Sequence, residues 1–66
     1  MEIIVNGDRR TVGEAATVRS LLQELSLPES RVAVERNRSL VRKTEFGSTP
    51  LAEGDRIEIV TFVGGG

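Results

Sequence analysis

One amphipathic segment constrains this chain more than any other. Val18, Leu21, Leu22 and Leu25 fall at i, i+3, i+4 and i+7, with Arg19, Ser20, Gln23 and Glu24 at the mostly outward positions between them. The spacing predicts a single helix with one apolar stripe, and Thr17 stands where a hydroxyl caps a helix N-terminus. The run Leu27-Pro28-Glu29-Ser30 ends it, because Pro28 biases Leu27 away from helical ψ and has no backbone N–H to donate. A lone stripe needs one covering surface. If the rest of the chain forms strands, that surface is one face of a sheet.

The rest does read as strands. Glu2 to Val5 and Asp8 to Val12 flank Asn6-Gly7, the strongest short hairpin signal. Val32 and Val34 alternate within residues 31–35, Arg36-Asn37-Arg38 turns the chain, and Ser39-Leu40-Val41 makes a short return. Residues 43–55 carry no clean period; Thr49-Pro50-Leu51 and Gly54-Asp55 mark turns, which predicts an irregular crossover with one short helical turn and Leu51 as its anchor. From Arg56 to Val63, Ile57, Ile59 and Thr61 alternate with Glu58, Val60 and Phe62, so the last strand has an aliphatic inner face and a partly apolar outer one. The expected core is Ile3, Val5, Val12, Val18, Leu21, Leu22, Leu25, Val32, Val34, Leu51, Ile57 and Ile59. The order of elements predicts a small α+β roll.

Composition narrows the chemistry. Sixty-six residues make one domain near the size at which an unstapled core holds, and there is neither Cys nor His. Thiol nucleophiles, imidazole bases and Cys/His zinc sites are thereby removed, and the scattered Glu24, Glu29, Glu35, Glu45, Glu53, Asp55 and Glu58 lack metal-ligand spacing and read as surface charges. The expectation is a protein acted on by others and not an enzyme. Nine basic against ten acidic residues leave no field to steer nucleic acid or an anionic membrane. The basic cluster Arg36, Arg38, Arg42 and Lys43 reads as a solvated turn or a contact with an acidic protein, and two phenylalanines offer little for stacking on bases. With no apolar run of about 20 residues and no signal-like start, the expected place is the cytoplasm.

After the last strand come Gly64, Gly65 and Gly66. Three extended residues reach roughly 10 Å with only the width of bare backbone, enough to carry a carboxylate into a narrow tunnel. The alternatives are a frayed end or a linker scar; the lack of any other low-complexity stretch favours function. Residues 1–63 are expected to form the domain and 64–66 a flexible tail. Val60, Phe62 and Val63 precede that tail, either as an apolar patch that docks partners or as side chains buried under the crossover.

With this order of elements, the opening Ile3-Ile4-Val5-Asn6-Gly7, the segments Val32-Ala33-Val34-Glu35-Arg36-Asn37 and Thr49 to Val60, and the glycine end, the chain resembles the thiamine-biosynthesis sulfur carriers, the ThiS family, from end to end. The resemblance implies a ubiquitin-like β-grasp, a mixed sheet of four to five strands wrapped on one helix. It implies that an adenylating partner enzyme, using ATP and Mg²⁺, activates the Gly66 carboxylate. A sulfur donor such as a cysteine desulfurase system then converts it to a thiocarboxylate, which gives its sulfur to thiazole synthase. Gly65 and Gly64 serve as slim neighbours; the family shares a terminal pair, where this chain has three glycines. No cofactor or metal is expected on the carrier itself. The small sulfur-carrying subunit of molybdopterin synthase, a protein-modifying ubiquitin-like tag and a passive interaction module are the other readings.

Overall fold

The computed structural model describes residues 1–62; Val63, the glycine tail and the expected boundary between them lie outside the described residues. β1 (Glu2–Val5) and β2 (Asp8–Thr11) form the first hairpin, with Ile3 across from Arg10 and Val5 across from Asp8. Asn6 and Gly7 take φ of 48° and 87° at its turn. Two consecutive left-handed residues match the twist of a tight hairpin, which is why Asn-Gly stands there.

The helix α1 runs Val18–Glu24. Thr17 caps it as expected, but Ser20 does not face outward: it folds back, its hydroxyl accepting the Thr17 N–H at 2.8 Å while the Thr17 hydroxyl accepts the Ser20 N–H at 3.2 Å. The helix also stops before Pro28. Ser26 adopts φ 59°, its N–H donates to the Gln23 carbonyl at 3.0 Å, and the Leu27 N–H donates to Leu22 at 2.9 Å. This pair of bonds is the Schellman closure, made here without glycine. Pro28 instead opens a single 3₁₀ turn at Glu29–Arg31.

β3 (Val32–Arg36), β4 (Ser39–Val41) and β5 (Arg56–Thr61) complete a five-stranded sheet in the order β2-β1-β5-β3-β4. β1 and β5 are parallel and the other neighbours antiparallel, so the last strand lies at the centre of the sheet. Ile3, Val32, Val34, Ile57 and Ile59 are buried on one face and Val18, Leu21 and Leu22 are buried from the helix, all in a single apolar cluster. One stripe covered by one sheet face gives the expected β-grasp.

The core departs from expectation in four places. Val5 and Leu25 are half-buried, whereas Ala16 and Phe46 are buried, Phe46 completely. Phe46 follows a 3₁₀ turn at Lys43–Glu45, in the segment that has no period. The crossover is held to the helix by its backbone. The Val18 N–H donates to Thr49 at 3.1 Å, the Arg19 N–H to Phe46 at 2.9 Å, and the Leu51 N–H to Ala16 at 2.9 Å. A helix start has free N–H groups that need partners, and the crossover supplies carbonyls for the first two. Phe46 is drawn inside with them.

Candidate functional site

β5 is secured along its length before it reaches the tail. At its start, Asp55 is 6% exposed and accepts from Arg36 Nε at 2.8 Å, Asn37 Nδ2 at 3.0 Å and the Ala52 N–H at 2.8 Å. Asn37 Oδ1 in turn accepts the Arg56 N–H at 2.9 Å, which joins the β3–β4 turn to the head of β5. Burial raises the Asp55 carboxyl pKa, but the bonds from Arg36, Asn37 and Ala52 outweigh it, and the net shift is downward. Asp55 is thus not a surface charge, contrary to expectation. Farther along, Asn6 bonds both backbone groups of Ile59, and beyond Thr61 the Phe62 N–H still donates to the Arg31 carbonyl at 2.8 Å.

The basic cluster is divided by these same contacts. Arg36 is bound to Asp55, and Lys43 Nζ donates to the Ser30 carbonyl at 3.2 Å. Arg38 sits in the β3–β4 turn at φ 71°. Two of the four cations have structural duties, so the cluster does not present one continuous patch.

Alternation along β5 sends Ile57, Ile59 and Thr61 toward the helix, and Arg56, Glu58, Val60 and Phe62 to the opposite face. Val60 and Phe62 are 57% and 50% exposed. β4 adds Leu40, at 70% the most exposed large apolar side chain of the described residues. Ala33 lies across from Val60, and a shallow depression of about 220 Å³ at the sheet edge is bounded by Ala33, Leu40 and Phe62 on one side and by Lys43 and Phe46 of the crossover on the other. Sequence reasoning placed Val60 and Phe62 near the tail but missed Leu40, since the β4–β3–β5 pairing that brings it there is not written in local periodicity. Val63 lies outside the described residues.

A second groove, of about 440 Å³, opens on the helix side, with Val5, Leu25, Leu27, Ile59, Thr61 and Arg10 among its walls. It explains why Val5 and Leu25 are only half-buried: they form the wall where the short helix ends before the sheet does. Among the described residues no group of three or more Asp, Glu, His or Cys is placed to hold a metal, and no helix is long and apolar enough to cross a membrane.

Known proteins share this fold. A crystal structure of the thiamine biosynthesis protein ThiS from Geobacter metallireducens superposes with a TM-score of 0.84 at 35% identity, covering 100% of both chains. The sulfur carrier protein ThiS of Bacillus subtilis is 40% identical over 53 residues, 80% of each chain. A thiazole synthase of Paramagnetospirillum magneticum is 41% identical over all 66 residues, and the chain spans only 20% of that protein's length. The ThiS family profile matches residues 3–66. With the profile running nearly end to end over a fold shared at full length, the chain belongs to the ThiS family.

Proposed function

We propose that this chain is a sulfur carrier of thiamine biosynthesis, a protein co-substrate and not an enzyme, with the Gly66 carboxylate as its working group. The observation that carries the reading is the course of β5: the central strand, fastened at both ends, leads through an exposed apolar face into Gly64-Gly65-Gly66. The face seats the carrier on a partner and the narrow tail reaches its active site. Full-length likeness to ThiS proteins gives this arrangement its chemical context.

A carboxylate is a poor acyl donor because its leaving group would be oxide. An adenylating partner transfers AMP from ATP·Mg²⁺ to the Gly66 carboxylate and releases pyrophosphate. A persulfide from a cysteine desulfurase system attacks the carbonyl and displaces AMP. A partner thiolate then attacks the donor cysteine's sulfur in the resulting acyl disulfide, forming a disulfide with it and leaving the former outer sulfur of the persulfide on Gly66 as the thiocarboxylate. That sulfur passes to thiazole synthase. The ATP and metal sites belong to the partners, and the carrier needs no thiol of its own, which fits a chain without cysteine.

The test is the intact mass after incubation with the adenylating enzyme, ATP, Mg²⁺ and a persulfide source. A gain equal to sulfur replacing oxygen, localised to Gly66, is expected, and a chain lacking Gly66 gains nothing. An unchanged mass with demonstrably active enzyme overturns the reading.

A further inference from the structure

The basic residues of this chain are unevenly chosen. Eight of the nine are arginines, and Lys43 is the only lysine. A guanidinium stays protonated and offers no nucleophilic nitrogen, whereas an ammonium can give up its proton and attack a carbonyl. With neither Cys nor His present, two amines remain, Lys43 Nζ and the amino group of Met1. For a chain activated at its carboxyl end, their positions decide what the acyl group can meet.

The fold separates the two amines. The Met1 ammonium donates to the Val12 carbonyl at 2.8 Å and pairs with Glu14 at 3.0 Å. β1 runs parallel to β5, so Met1 stands at the end of the sheet where β5 begins, away from Phe62. Lys43 stands at the other end. Its Nζ donates to the Ser30 carbonyl at 3.2 Å, and the Phe62 N–H donates to the carbonyl of the very next residue, Arg31, at 2.8 Å. Bonds to consecutive carbonyls place Lys43 Nζ no more than about 12 Å from the Phe62 nitrogen. The two residues also line one depression at the sheet edge, and Lys43 is exposed. Residues 63–66 follow Phe62, and an extended chain of that length spans roughly 13 Å. The Gly66 carbonyl is therefore within reach of Lys43 of its own molecule.

We infer that Lys43 is a modification site: it accepts this chain's own activated Gly66 carboxyl when no persulfide intercepts it. The inference rests on the reading of the chain as a carrier adenylated by a partner. The Lys43 ammonium first loses a proton to solvent; the neutral amine can keep one N–H on the Ser30 carbonyl with its lone pair available. As the acyl-adenylate leaves the partner's active site, the amine attacks the Gly66 carbonyl. A C–N bond forms, the C–O bond to AMP breaks, AMP departs and a proton goes to solvent. Nothing is oxidised or reduced. An amine on the same molecule meets the carbonyl at an effective concentration that a second chain in dilute solution does not match. The product is an isopeptide that closes residues 43–66 into a ring, one water lighter than the parent. It has no terminal carboxylate, so it can be neither adenylated nor given sulfur. A carrier activated without a sulfur supply is thereby withdrawn from use.

The test incubates the chain with the adenylating enzyme, ATP and Mg²⁺ but no sulfur source, and reads the intact mass. The expected result is a monomer lighter by one water, with proteolytic fragments that join Gly66 to Lys43. Lys43→Arg keeps the cation at an exposed position, should melt near the parent's midpoint, and should lose the product entirely. Adding a persulfide source to the parent should replace the ring with the thiocarboxylate. A parallel reaction with hydroxylamine reports activation by itself, trapping the acyl-adenylate as a hydroxamate on Gly66. If the hydroxamate forms and no water is lost in its absence, the inference is overturned while the carrier reading stands. A ring that persists in Lys43→Arg, or a product found only as a joined dimer, also overturns it. If no hydroxamate forms with demonstrably active enzyme, the carrier reading fails and the inference falls with it.

Discussion

Asn6 and Ile59 hold each other as two paired strand residues would, across 53 positions of sequence: Asn6 Nδ2 donates to the Ile59 carbonyl at 3.1 Å, and the Ile59 N–H donates to Asn6 Oδ1 at 2.7 Å. A side chain thus extends the parallel β1–β5 pairing past the point where the hairpin turns away. Asn6→Ala removes both bonds and leaves a left-handed position to a residue that resists it, for a loss of about 2 kcal/mol. Asn6→Asp keeps an acceptor but no donor, and falls between. Urea denaturation gives the stabilities, and faster amide hydrogen exchange at Ile59 identifies the site.

Asp55 makes the fold acid-sensitive in a definite direction. Its folded pKa is depressed, so the stability it contributes is fully present above the unfolded value of about 3.9 and is lost as pH falls through the folded value. Asp55→Asn costs on the order of 2 kcal/mol at neutral pH, because the Arg36 guanidinium loses its carboxylate. Denaturation curves from pH 7 down to strong acid should show parent and variant converging at the acid end. A gap that stays constant with pH contradicts the role given to its ionised form.

Two left-handed positions are occupied by residues that resist that conformation: Ser26 at φ 59° and Arg38 at φ 71°. Ser26→Gly and Arg38→Gly should each raise stability by about 0.5–1 kcal/mol, the steric relief exceeding the added freedom of the unfolded chain. In a domain of this size that corresponds to several degrees in Tm. The readout is the thermal midpoint of each variant.

The two phenylalanines should behave oppositely. Phe46→Ala empties a fully buried position and should cost about 3–5 kcal/mol, enough to unfold much of a domain this small. Phe62→Ala alters a half-exposed side chain, should leave the thermal midpoint nearly unchanged, and should weaken binding to the activating enzyme. Paired melting and binding measurements on the two variants check both claims.

Elements with a local period were legible in the sequence: the Asn6-Gly7 hairpin, the helix with its Thr17 cap, and the alternation of β5. What was not legible depended on contacts between distant segments. Phe46 has no periodic neighbours, and its burial follows from the crossover meeting the free N–H groups of the helix. Asp55 looked like any turn carboxylate, because nothing near it announces Arg36 or Asn37 as partners. The exposed face was half legible: strand alternation showed Val60 and Phe62, but Leu40 needed the sheet order. The helix end was misplaced for a local reason, since serine is an unusual residue at a left-handed stop and Pro28 drew attention away from it.

The central position of β5 also has a mechanical consequence. A pull from its carboxyl end acts along the strand, while its hydrogen bonds to β1 and β3 run across it, so they are loaded together in shear and do not open one after another. An edge strand pulled sideways would unzip bond by bond. A load applied at the carboxyl end of β5 is therefore borne by the sheet as a single block.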